Sequence, residues 1–150
     1  MIRSLLFVPG NNPAMLQNAS IHGADALILA LEDAVPVRET DSARPLVRRA
    51  VKALEFSGIP LAIRINPAGS PYLADDRLAR VPLAPGFLMP TKVSGAGDIA
   101  RLSARMAQIE AEHGMKAGGI GRIPLIETAL GVENAFQIAG CDPRVRGMFL

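Results

Sequence analysis

Five short stretches of the chain each leave an apolar run and meet side chains that can do chemistry. They are Asn11 and Asn12, Glu32 and Asp33, Arg64 and Asn66, Thr91 and Lys92, and Glu127 and Thr128. Carboxylates bind hard cations such as Mg²⁺, which takes one or two of them together with waters and substrate oxygens. A guanidinium pairs a carboxylate through two parallel hydrogen bonds. If the five stretches end at one place, they make a site for a divalent metal and an anionic substrate. Each also has a plainer reading on its own. Glu32-Asp33 is a capping pair next to Arg38, Arg64 is a sheet residue balanced by Glu32, Glu127 favours a helix N-terminus, and Lys92 is a solvated loop residue.

Short apolar runs alternate with segments of helical period, the pattern of βαβ units around a parallel sheet. The strands are expected at Ser4 to Val8, Ala26 to Leu31, Leu61 to Ile65, Gly86 to Met89 and Ile123 to Ile126, with a last run at Met148 to Leu150. Asn12 before Pro13 reads as an N-cap and N1 proline opening a helix that ends near Gly23. A second helix is expected from Arg38 to Ser57, with Ala43, Leu46, Val47, Ala50, Val51 and Leu54 on one stripe. A short helix around Ala74 to Arg80, one from an N-cap at Asp98 to His113, and one from Val132 to Ala139 complete the set. Six strands fit either a doubly wound open sheet or an incomplete (β/α)₈ TIM barrel, whose strand ends converge on one mouth. The strand-end chemistry favours the barrel.

With 49% hydrophobic and 20% charged residues, the 150-residue chain is expected to fold around a core. Its 16 basic and 14 acidic residues are scattered rather than clustered, and it has no Trp, so no nucleic-acid partner is expected. The single cysteine, Cys141, forms no internal disulfide and joins no zinc-type cluster, which fits a cytoplasmic setting. The apolar start ends at Pro9-Gly10, short of a signal peptide, and no run is long enough to span a membrane. Gly95-Ala96-Gly97-Asp98-Ile99-Ala100 fits G-x-G-x-x-A, the basis of a remote alternative, an open-sheet nucleotide-binding protein. The strand before it ends several residues early, and no acid closes a second strand at the required distance.

Phe7-Val8-Pro9-Gly10-Asn11, Leu27 to Val35 with Glu32-Asp33 inside it, Arg64-Ile65-Asn66-Pro67, Met89-Pro90 with Lys92-Val93, and Ile123 to Ala129 come in one order across the whole chain. Together they closely resemble the citrate lyase β-subunit-like branch of the HpcH/HpaI aldolase and citrate lyase family. The resemblance implies a Mg²⁺-dependent (alternatively Mn²⁺-dependent) TIM-barrel lyase, usually a homotrimer or hexamer. Such an enzyme makes or breaks a carbon–carbon bond in a CoA thioester such as citryl-, malyl- or citramalyl-CoA. It further implies that Glu127 is a metal carboxylate and that Arg64 holds the carboxylate of the oxo-acid product. Glu32 and Asp33 then orient metal waters and Arg64, while Asn11 and Lys92 join Arg64 in binding substrate.

Three departures from the family pattern stand out. Ala30 occupies a position where the family usually has Asp, and Thr91 is inserted before Lys92. The motif that supplies the second metal carboxylate would begin just after Leu150. Residues 1 to 150 are thus expected to be the N-terminal portion of a single barrel domain. The alternative is a non-catalytic subunit or remnant that pairs with a partner chain.

Overall fold

A computed structural model describes residues 2–54, 56, 58–67, 69–71, 73 and 85–150. The expected helix at Ala74 to Arg80 lies outside them. The elements run β1 (Leu5–Pro9), α1 (Pro13–Asn18, continued by a 3₁₀ turn Ala19–His22), β2 (Ala26–Ala30), α2 (Thr40–Ala53), β3 (Leu61–Ile65), β4 (Phe87–Pro90), α3 (Ala96–Glu112), β5 (Gly121–Arg122), α4 (Ala129–Glu133) and α5 (Ala135–Gly140). The five strands form one parallel sheet in the order β1-β2-β3-β4-β5. A doubly wound sheet reverses its strand order at a switch point. No reversal occurs among the described strands, and every strand sends its C-terminal end to the same edge.

The strands are short apolar runs because both faces are covered. Leu27, Leu29, Ile63, Ile65 and Leu88 face the helices and meet Leu16, Ala43, Val47, Leu102, Met106 and Ile109. On the opposite face Ile28, Ala62, Met89, Ile123 and Leu125 pack with Phe7 and Phe149, whose rings stand edge to face at 5.6 Å. Arg64 alternates with Ile63 and Ile65, and sits in register between Ala30 and Met89. Its side chain therefore belongs to the face opposite the helices.

Local signals set the ends of the elements. Asn12 Oδ1 accepts the Met15 N–H at 3.1 Å, and Pro13 opens α1, as the sequence predicts. Gly10 donates its N–H to the Ala30 carbonyl at 2.9 Å. A Cβ on Gly10 would lie 2.5 Å from that oxygen and 2.7 Å from Val47 Cγ2, so the turn out of β1 requires glycine.

Four expectations need correction. Asp98 is not the N-cap of α3 but lies one turn in, where Oδ2 accepts the N–H groups of Ser94 and Gly95. The second helix is shorter than Arg38 to Ser57, beginning at Thr40 and ending at Ala53. The expected Val132 to Ala139 helix starts at Ala129, because Thr128 Oγ1 caps it through the Gly131 N–H, and breaks at Asn134 into two. The fifth strand is Gly121–Arg122 rather than Ile123 to Ile126. Pro124 has no N–H to keep the ladder regular, although Ile123 and Leu125 still donate to the Leu88 and Pro90 carbonyls. The sixth run meets this continuation through one isolated bridge, Leu125 to Phe149, and Val145 just before it bridges to Arg122 of β5.

Candidate active site

Four parallel strands and the turns that leave them bring five ionisable side chains together. Glu32 and Asp33 follow β2, Arg64 is the fourth residue of β3, Lys92 lies two residues past β4, and Glu127 follows the extension of β5. Arg64 Nη2 lies 2.7 Å from Glu32 Oε2, 3.2 Å from Asp33 Oδ2 and 3.8 Å from Glu127 Oε2. Lys92 Nζ lies 2.8 Å from Glu32 Oε1 and 3.5 Å from Asp33 Oδ1. The plainer reading of Arg64 as balanced by Glu32 is thus true of its Nη2 edge, but the pair is one part of a larger cluster.

The register explains the convergence. Leu31 donates its N–H to the Arg64 carbonyl at 3.0 Å, which extends the β2–β3 ladder to the point where Glu32 and Asp33 leave it. Asn66 Nδ2 then donates to the Leu31 carbonyl at 3.3 Å and ties the two turns. Glu32 is held from both sides: Oε2 accepts the Asp33 N–H at 2.8 Å and Oε1 receives the Lys92 ammonium. Beneath Arg64, the Phe7 ring centroid lies 5.8 Å from the guanidinium carbon, a cation–π contact. Arg64 Nε is buried and has no hydrogen-bond partner among the described residues. A buried donor left unpaired costs about 1–3 kcal/mol, so an anion that accepts from it is favoured.

Charge neighbours tune these groups. Partial desolvation pushes the Asp33 carboxyl up, but the Glu32 hydrogen bond and the Lys92 and Arg64 charges outweigh it, so Asp33 is held below the usual carboxylate range. The hydrogen bond to Glu32 raises Lys92 above the ordinary amine value against desolvation. Both groups are therefore charged at neutral pH.

Glu127 is the acid least engaged by the cations: its side chain is 30% exposed and Arg64 Nη2 stands 3.8 Å from its Oε2. Its Oε1 accepts the backbone N–H of Lys92 at 3.0 Å, leaving Oε2 open toward Arg64. A hard, accessible carboxylate oxygen suits Mg²⁺ or Mn²⁺. Among the described residues, no group of three His, Cys, Asp or Glu side chains is set to hold a metal. Glu127 Oε2 can offer an ion one carboxylate oxygen, with waters and other oxygens to complete its shell.

Asn11 stands apart from the cluster, with Nδ2 donating to Glu39 Oε2 at 2.6 Å. Thr91 is buried, its hydroxyl donating to the Ile65 carbonyl at 3.1 Å, and Thr128 pairs its hydroxyl with Ser94 at 3.1 Å. The roles of Phe7 and of the Lys92 backbone were not read from the sequence. Phe7 carries a signal, since it alternates with Leu6 and Val8 and so shares the face of Arg64. Arg122 was also missed. It is fully buried on β5 beside Leu88, where burial and the Arg144 charge push its guanidinium down to about 10.

Beside the cluster lies a cavity of about 410 Å³, walled by Leu31, Val35, Pro36 and Pro67 and opening onto Glu32 and Lys92. This is large enough for a small organic acid or part of a longer acyl chain.

Residues 3–150 match the family model for HpcH/HpaI aldolase/citrate lyase. The chain is 38% identical over 148 residues to citrate lyase subunit beta of Leuconostoc mesenteroides subsp. cremoris, a match that covers 99% of this chain and 49% of the relative. It is 36% identical over 130 residues to the malyl-CoA/beta-methylmalyl-CoA/citramalyl-CoA lyase of Chloroflexus aurantiacus, covering 84% of this chain and 37% of that one. The chain thus spans about half the length, or less, of the curated relatives it matches. Among solved structures it is similar to CitE of Mycobacterium tuberculosis in complex with magnesium and pyruvate. The TM-score is 0.76 at 29% identity, with 98% of this chain and 53% of that chain covered. The same protein has been solved with magnesium, acetoacetate and coenzyme A, where the TM-score is 0.75 at 29% identity, with 98% and 48% covered.

Proposed function

Because the chain belongs to the HpcH/HpaI aldolase/citrate lyase family, we propose that it carries the oxo-acid subsite and one metal carboxylate of a carbon–carbon lyase. The substrate class is a 3-hydroxyacyl-CoA thioester such as citryl-, malyl- or citramalyl-CoA. The observation that carries this reading is the placement of Arg64. Three carboxylates surround one of its terminal nitrogens, while its buried Nε still lacks a partner.

Arg64 receives the carboxylate of the oxo acid through its remaining N–H groups, with the Phe7 ring packed below the guanidinium. Glu32 and Asp33 hold the guanidinium in place, so little ordering is left to be done when substrate arrives. The Lys92 ammonium offsets the negative charge of that pair, which keeps the site from repelling an anionic substrate. Glu127 would supply one carboxylate to the divalent cation, with the second expected outside these 150 residues. When bound, Mg²⁺ or Mn²⁺ polarises the oxo-acid carbonyl that is formed or attacked.

On the same reading, residues 1–150 are the N-terminal portion of a single (β/α)₈ barrel that acts as a homo-oligomer. The in-order parallel sheet supports this, as each βα unit lies beside the next. The test is to incubate the intact gene product with Mg²⁺ and citryl-, malyl- or citramalyl-CoA, assaying for oxaloacetate, glyoxylate and pyruvate. Release of one oxo acid, abolished by chelation, is expected. No product from any of the three contradicts the proposal.

A further inference from the structure

Lys92 has φ +52° and is the one non-glycine residue with a positive φ among those described. L-residues other than Asn and Asp seldom adopt this left-handed region. The neighbours explain how it is enforced. Thr91 is 1% exposed and anchored to the Ile65 carbonyl, and Val93 is 2% exposed and donates to the Leu125 carbonyl at 3.3 Å. With both sides pinned, the chain must reverse at residue 92.

The reversal lets one residue serve two acids on different strands. The Lys92 N–H reaches Glu127 Oε1 at 3.0 Å, beyond β5, while Nζ reaches Glu32 Oε1 at 2.8 Å, beyond β2. Because φ sets the torsion between the N–H and the Cα–Cβ bond, the left-handed value at Lys92 is what turns these two groups toward the two acids. We infer that Lys92 is a positioning residue whose left-handed backbone aims its N–H at Glu127 and fixes that carboxylate for the metal, independently of what its ammonium does. This rests on the reading of Glu127 as a metal carboxylate.

The backbone and side-chain roles separate in a pair of variants. Lys92→Gly and Lys92→Val both lose the ammonium, so any effect of its charge is common to them. Glycine adopts φ +52° freely, whereas valine resists it. Mn²⁺ is titrated into the intact gene product and followed by electron paramagnetic resonance, with far-UV circular dichroism to check folding. Lys92→Val is expected to bind Mn²⁺ at least about tenfold more weakly than Lys92→Gly, within the usual range for losing a group that orients a metal ligand.

Amide exchange supplies a second readout in the native sequence. Replacing the acceptor in Glu127→Ala is expected to speed exchange of the Lys92 amide about tenfold or more, and unchanged protection overturns the inference. Equal Mn²⁺ affinity of the folded Gly and Val variants, with Glu127→Ala weakened, overturns the inference alone. Wild-type Mn²⁺ affinity in Glu127→Ala overturns the metal role of Glu127 and this inference with it.

Discussion

Nη2 of Arg64 and Oε2 of Glu32 lie 2.7 Å apart, with the two side chains only 11% and 4% exposed. A pair so far from water is weak evidence for net stability, but removing Glu32 takes from Arg64 its nearest and most buried counter-charge and leaves only the longer contacts to Asp33 and Glu127. Glu32→Ala is therefore expected to destabilise the fold by about 3 kcal/mol. The double variant Glu32→Ala/Arg64→Leu should cost less than the sum of the single ones by at least about 1 kcal/mol. Urea denaturation of the four proteins in this cycle checks both. Additive losses would mean that the two side chains act independently.

Arg64→Lys keeps a positive charge but loses the planar fork and the buried Nε donor. Affinity for the oxo acid is expected to fall about 10- to 100-fold, the loss of one charge-assisted hydrogen-bond set. Calorimetric titration with pyruvate, glyoxylate and oxaloacetate measures it. Retained affinity for all three would remove Arg64 from the substrate site.

Acid should weaken the start of the sheet. Asp25 Oδ2 accepts the Arg3 N–H at 2.8 Å and the Ser4 N–H at 3.0 Å, and the Arg3 guanidinium lies beside its other oxygen. The Arg3 backbone bond first, then the Arg3 side chain, hold this carboxyl down at about 2 against its ordinary 3.8. A lowered value means that the folded state favours the charged form. The contribution is thus complete above the ordinary value and is lost as pH falls from there through about 2. Asp25→Asn should flatten the fall in melting temperature across that window and lower the melting temperature at neutral pH. An identical acid profile in the variant would contradict this.

The first four strands and the five clustered residues were legible because the chain marks them in its own terms. Runs such as Ala26 to Ala30 are buried on both faces, which forces continuous apolar residues, and the polar residues begin where the strand leaves the core. The fifth strand was misplaced because the apolar run Ile123 to Ile126 contains Pro124, which has no N–H to donate, without interrupting burial. Asp98 resembled an N-cap by type, yet capping from one turn inside uses the same carboxylate. Asn11 carried no sign of its distant partner Glu39, 28 residues away. Least legible was the left-handed backbone at Lys92, which depends on two buried neighbours being pinned from other strands and leaves no mark in residue type.

If Glu127 holds the divalent metal for cleavage of a CoA thioester, Glu127→Gln in the intact gene product loses both metal and turnover. The substitution keeps the size of the side chain and an oxygen for the Lys92 N–H, but removes the charge. Mg²⁺-dependent release of oxo acid is expected to fall at least about a hundredfold, about 2.7 kcal/mol or more of transition-state stabilisation, with Mn²⁺ affinity lowered in parallel. Wild-type turnover with unchanged Mn²⁺ affinity would remove Glu127 from the metal site.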